Sequence, residues 1–193
     1  MMQFIKKKWI VTFWMLLLPI SVHAAVSQWN IIPNESSITF TGTQNNAPAS
    51  GSFKKFTGDI AFDSNQLNAS KVRIVVDMTS LTASYSTFTD TLLTADWFDV
   101  KKYPQAVFEA THFTKTGNNA YQANGTLTIR NKTLPVTVSF NTESLSNTNK
   151  KVRAKGSVMI KRLDYGVGQG QWADTSLVKN EVQVNFTITA TKE

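Results

Sequence analysis

The chain has no cysteine and only two histidines among its 193 residues. Without thiols there is no disulfide framework, no cysteine nucleophile, no thiolate zinc site and no lipid anchor on an N-terminal cysteine. Two imidazoles leave little room for a histidine metal centre, and no cluster of ligands stands at suitable spacing, so no metal is expected. Charge is also sparse, at 17% of residues against 41% hydrophobic, which suits a packed domain rather than a disordered chain. Long apolar runs are missing too, apart from Trp9 to Ile20, which is too short for a full bilayer span of about 20 residues.

That single run belongs to a secretory leader. Lys6, Lys7 and Lys8 form its positive end, the apolar run follows, and Val22-His23-Ala24 supplies small residues at the positions before a cleavage site. Residues 1–24 are therefore expected to be a signal peptide cut after Ala24, leaving 25–193 as one domain outside the cytoplasm. Removing the three lysines lowers the net charge from +7 to +4. So small an excess does not form the concentrated basic face that nucleic acid requires. The pairs Lys101-Lys102, Lys150-Lys151 and Lys161-Arg162 read as solvated loop or strand ends.

What the remaining chain does have is alternation. Apolar residues recur at every second position around Ile38 and Phe40, then Phe56 to Phe62, Val72 to Met78, Ala106 to Ala110, Tyr121 to Ile129, Leu134 to Phe140, Val152 to Ile160 and Val182 to Ala190. Period two marks strands with one buried face. Turn residues separate them: Asn45-Asn46-Ala47-Pro48, Asp63-Ser64-Asn65, Gly117-Asn118-Asn119, Arg130-Asn131-Lys132 and Ser146 to Asn149. Short spacers make neighbours antiparallel. Two stretches break the pattern. Ser84 to Val100 reads as a short helix over Thr89 to Ala95 followed by a turn. Leu163 to Asn180, with Gly166, Gly168, Gly170 and Trp172, is long for a loop and invites a functional role. Eight strands with one apolar face each predict an all-β fold: an eight-stranded antiparallel barrel with a short helix or loop insertion, or else a sandwich. Edge removal favours the barrel.

Catalytic chemistry finds little support. His112 is the only histidine left after the leader, and parity with Phe108 turns it inward, but it has no companion nucleophile motif. Gly51-Ser52-Phe53 lacks the second glycine of a nucleophile elbow. Asp90, Asp96 and Asp99 fit helix ends or ion pairs, and Gly166-Val-Gly-Gln-Gly170 lacks dinucleotide-loop spacing. The apolar face remains. Strand parity puts Phe40, Phe56, Ile60, Phe62, Ile74, Val76, Phe108, Leu127, Val138, Phe140 and Phe186 inside the barrel, as core or as the lining for a long hydrocarbon. Leu92, Leu93, Trp97 and Phe98 are the residues of a lid. The pair Lys54-Lys55, between Phe53 and Phe56, signals a bulge that disturbs this parity.

Five segments in order resemble the YceI-like family of bacterial polyisoprenoid-binding proteins. They are Gly51 to Asp63, Val72 to Leu81, Asp90 to Phe108 (Asp-Thr-Leu-Leu-Thr-Ala-Asp-Trp-Phe-Asp-Val-Lys-Lys-Tyr-Pro-Gln-Ala-Val-Phe), Gly125 to Val136, and Arg162-Leu-Asp-Tyr-Gly166 with the final strand. The resemblance spans Trp29 to about Ala190. It implies a lipocalin-like barrel in the periplasm with an isoprenoid chain, on a quinone or another lipid carrier, held non-covalently inside. Three readings follow: a lipid carrier or reservoir, a quinone-delivering partner of a membrane cytochrome, or an enzyme acting on the lipid through His112. A homodimer is left open.

Overall fold

The computed structural model describes residues 25–193; the expected leader, residues 1–24, lies outside the described residues. Eleven strands, β1 to β11, and one α-helix make up the domain. They run β1 (Gln28–Ile31), β2 (Ser37–Gln44), β3 (Ala47–Phe53), β4 (Phe56–Ala61), β5 (Lys71–Asp77), β6 (Leu81–Ala83), helix α1 (Ser86–Leu93), β7 (Gln105–Gly117), β8 (Ala120–Ile129), β9 (Lys132–Ser144), β10 (Lys151–Lys161) and β11 (Glu181–Lys192).

Every pairing is antiparallel, and the ring closes because β1 pairs with both β4 and β11. The circuit β1-β4-β5-β7-β8-β9-β10-β11 is an eight-stranded closed barrel. The three additional strands are continuations of three ring members. β2 follows β1 along β11, β3 precedes β4 in the adjacent position, and β6 follows β5 on β3. Each of these long strands is broken once. A 3₁₀ turn at Pro33–Glu35 splits β1 from β2, and another at Met78–Ser80 splits β5 from β6. Between β3 and β4 the break is Lys54-Lys55, whose two main-chain N–H groups both donate to the Ser80 hydroxyl at 3.1 and 2.9 Å. The expected bulge at these lysines is thus a full interruption.

The breaks explain why β1, β3 and β6 do not show in the alternation pattern. β1 and β6 are only four and three residues long. β3 begins Ala-Pro-Ala and looks like turn sequence, yet Pro48 sits opposite Thr43 where only one side of β3 is paired, so its missing N–H costs no ladder bond. The expected four-residue turn shrinks to Asn45-Asn46, with φ of 51° and 62°. These values suit the tight two-residue hairpin that asparagine tolerates. The helix starts three residues earlier than its sequence predicts and ends at Leu93, because the Thr94 carbonyl accepts from Trp97 and Asp99 and turns the chain.

At the β6 end the wall is incomplete. β6 pairs with β3 alone, whereas β5 is bonded to β7. α1 stands beside β6, tied to it by the Ala83 N–H donating to the Thr89 hydroxyl at 2.9 Å. Buried side chains form two clusters. One gathers Phe40, Leu81, Leu92, Trp97, Tyr165 and Val178 under α1 and the 163–180 loop. The other gathers Ala110, Phe113, Ala123 and Val138 toward the opposite end. Small residues allow close strand packing there: a methyl group on Gly125 would collide with the Glu109 carbonyl.

Candidate binding cavity

Between the two clusters lies an apolar cavity of about 300 Å³, inside the size range of small-molecule sites. β10, which forms part of its wall, has eleven residues. At about 3.3 Å per residue and a tilt near 40°, such a strand covers about 28 Å of barrel axis. Ten of the eleven side chains expected inside line this space: Phe40, Ile60, Phe62, Ile74, Val76, Phe108, Leu127, Val138, Phe140 and Phe186. Phe56 does not. It is the first residue after the Lys54-Lys55 break, half-buried and outside the lining set, although Val76 opposite it does line the cavity.

Of the expected lid residues, Leu92, Trp97 and Phe98 border the cavity and Leu93 does not. Phe88 and Leu92 are one helical turn apart and share the inner face of α1. Leu93 lies about 100° further round and packs against the flanking apolar cluster. Phe98 completes a triangle with Phe40 and Phe53, with ring centroids 5.7 to 6.5 Å apart. At the other end Phe62 meets Phe113, Tyr121 and Phe140 at 5.5, 5.3 and 5.8 Å, mostly edge-to-face. These rings pack across that end of the barrel.

Parity fails at one place that matters. The register between β7 and β8 slips between Ala110 and His112. This bulge turns His112 outward, where it is exposed with Nδ1 3.1 Å from the Thr111 hydroxyl. Phe113 takes the inward position and lines the cavity. The inward histidine expected from the alternation is therefore corrected, and the one imidazole of the described residues has no access to a molecule inside. A bulge adds one residue to a strand without changing its composition, so the alternation carries no sign of it. Among the described residues, no three histidine or carboxylate side chains come together.

Arg162 also departs from its expected place. Its expected place was a solvated strand end, but it is 3% exposed and borders the cavity. All five of its N–H groups donate to main-chain carbonyls: Nε to Lys179 at 3.0 Å, Nη1 to Val167 and Gly168 at 3.0 and 3.1 Å, Nη2 to Trp172 and Val178 at 2.6 and 2.7 Å. The 163–180 loop is thus wrapped around one guanidinium. Gly168, at φ 79°, permits the approach, since a methyl group there would strike Arg162 Nη1. Burial pushes the guanidinium below its usual value, and none of the three ion pairs of the described residues includes it.

Tyr165, in the same loop, is 3% exposed. Burial first, and the negative charge of Asp164 second, push its phenol above the usual value. The folded state therefore favours the neutral phenol. Stability from this source is complete below about pH 10, where the unfolded tyrosine begins to ionise, and is lost as pH rises through the folded value. Tyr165→Phe is expected to give a shallower fall of Tm with pH above about pH 10 than the parent chain, measured by circular dichroism. An unchanged alkaline slope would remove Tyr165 from this account.

A family model described as a YceI-like domain matches residues 29–190. The chain belongs to the YceI-like family. Within it, a UPF0312 protein of Vibrio parahaemolyticus is 35% identical over 88 residues, 46% of this chain and 47% of that protein. The chain thus matches about half the length of such curated relatives. BcnA of Burkholderia cenocepacia superposes with a TM-score of 0.80 at 33% identity, covering 84% of this chain and all of BcnA. A polyisoprenoid binding domain from Saccharophagus degradans shares the YceI-like fold with a TM-score of 0.68 at 14% identity, over 88% of this chain and all of that one.

Proposed function

We propose that this YceI-like protein is a non-catalytic lipid-binding protein of the periplasm that holds an isoprenoid chain along its barrel axis, as carrier or reservoir. The observation that carries the reading is the apolar cavity inside a closed barrel. Burial of hydrocarbon contributes about 0.8 kcal/mol per methylene. About fifteen buried carbons would gain about 12 kcal/mol, comparable with the 4–15 kcal/mol or so that association costs. A longer chain leaves a clear surplus. The family membership and the polyisoprenoid-binding neighbour support the isoprenoid class, and the leader read from residues 1–24 supports the compartment. The exposed position of His112 argues against chemistry on the chain inside. The ten expected lining residues, joined by Phe53 and Phe113, are the proposed contacts.

The test is to purify the mature protein from its native host, extract it with organic solvent, and compare lipid mass spectrometry with native protein mass. One isoprenoid per chain is the expected result. A protein that stays empty after incubation with membrane extract would overturn the reading and leave the barrel as a packed core.

A further inference from the structure

Three large hydrophobic side chains stand more than half exposed among the described residues: Tyr85, Met159 and Leu177. Met159 is on the outer face of β10, between the cavity-lining Val158 and Ile160. The other two flank the place where the cavity reaches the surface. Lys179 marks that place, because it is the one exposed residue of the cavity lining. Leu177 stands two residues before it, and its carbonyl accepts from the Asn45 N–H at the tip of the β2–β3 hairpin, at 2.8 Å. On the other side of the hairpin the Ser84 hydroxyl donates to the Ser50 carbonyl at 3.2 Å. Tyr85 follows Ser84, and its ring lies 5.6 Å from that of Phe88, which lines the cavity. Three segments are thus joined side by side into one rim, and none of residues 43–50, 82–89 and 175–178 carries a charge. Asp90, Asp174 and Lys179 stand where the rim ends.

We infer that this rim is a docking face for the surface of a phospholipid bilayer. The inference rests on the lipid-binding reading for what is exchanged, and on the rim alone for where. A hydrocarbon chain of many methylenes is nearly insoluble in water, so it passes between bilayer and cavity by contact. The face that makes the contact has to surround the opening, and it has to shed water. Shedding water costs a charged side chain far more than a hydroxyl or an amide, and the rim is free of charge. Its serine, threonine, asparagine and glutamine side chains can bond head-group oxygens. Tyrosine is favoured at the membrane–water boundary, because its ring is apolar and its hydroxyl polar. Only two large apolar side chains protrude, so the docking is shallow and reversible, as exchange requires. With no basic cluster in the rim, it needs no anionic lipid. A protein partner would also accept an uncharged rim, but it would leave the step from bilayer to cavity unserved.

The test is to mix the mature chain with sucrose-loaded phosphatidylcholine vesicles at millimolar lipid and to sediment them. A bound fraction is expected, and raising the salt about fivefold should change it by less than about threefold. The double variant Tyr85→Ser, Leu177→Ser should partition about tenfold more weakly or worse. Met159→Ser removes an equally exposed apolar side chain away from the rim and should partition as the parent does. Folding of the double variant is not at stake. Both side chains are exposed, and position 85 is the N-cap of α1, where serine is favoured; its Tm should match that of the parent. An equal loss in the Met159 variant, or binding that requires phosphatidylglycerol and disappears in salt, would overturn the inference. No bound fraction, with an isoprenoid still found in the purified protein, would overturn this inference alone and leave the rim to a protein partner. A chain that docks through the rim yet holds no isoprenoid would overturn the lipid-binding reading and keep the docking face.

Discussion

Replacing Arg162 by alanine should lower the stability of the domain by about 4–5 kcal/mol, because buried acceptors lose their donor all at once. Five carbonyls from Val167, Gly168, Trp172, Val178 and Lys179 converge on this guanidinium. Each was desolvated when the loop closed, and each would be left facing a void or a newly admitted water. For a domain of this size such a loss corresponds to a fall in Tm of roughly 10–15 °C. Arg162→Lys is the informative companion. An ammonium group keeps the charge but has three donors and no planar fork, so at least two carbonyls stay unserved. It should recover less than about half of the loss. Thermal and urea unfolding followed by circular dichroism would measure both variants. A loss below about 1 kcal/mol for the alanine variant would mean that water already serves those carbonyls.

Leu127→Trp should abolish binding with little effect on the fold. Leu127 is half-buried, stands opposite Phe108 on β7 and Leu134 on β9, and borders the cavity. Its side chain points along the pleat into the barrel, so a larger one has the cavity to grow into. Overpacking a filled core costs about 1–3 kcal/mol, but this site has empty space, so Tm should move by only a few degrees or so. Affinity for an isoprenoid should fall about a hundredfold or more, because the indole occupies the space of several methylenes at about 0.8 kcal/mol each. Titration with a prenylated naphthoquinone would show it. Undiminished affinity would place the lipid outside the barrel.

The sequence and the structure agree best where a strand is regular. Leu127, Val138, Phe140 and Phe186 sit in uninterrupted ladders, and there alternation alone identifies the inner face. Agreement is lost where the backbone changes phase. The slip after Ala110 exchanges His112 for Phe113, and the break at Lys54-Lys55 separates Phe56 from the lining. The slip is decided by the partner strand, so no local pattern contains it, whereas the Lys54-Lys55 pair already marked the second disturbance in the sequence without showing that it is a full break. Arg162 and Trp97 were harder for another reason. A charged residue in a sequence is ordinarily solvated, and only the folded loop shows the carbonyls that make burial of this one tolerable. Trp97 stood out in the sequence as part of the apolar stretch 84–100, and it borders the cavity, but its unsatisfied nitrogen is a property of the surrounding atoms rather than of the residue type.

The unpaired boundary between β6 and β7 bears on how such a container can be loaded. Between β10 and β11, parting two neighbours means breaking a ladder of main-chain hydrogen bonds eleven residue pairs long. Beside β6 the barrier is α1, held by apolar side chains and the Thr89 hydroxyl. Displacing that one short helix opens the side of the barrel while every rung of the sheet stays in place. A long, floppy molecule can then be laid in sideways, without having to be threaded end-first past the aromatic rings at the far end.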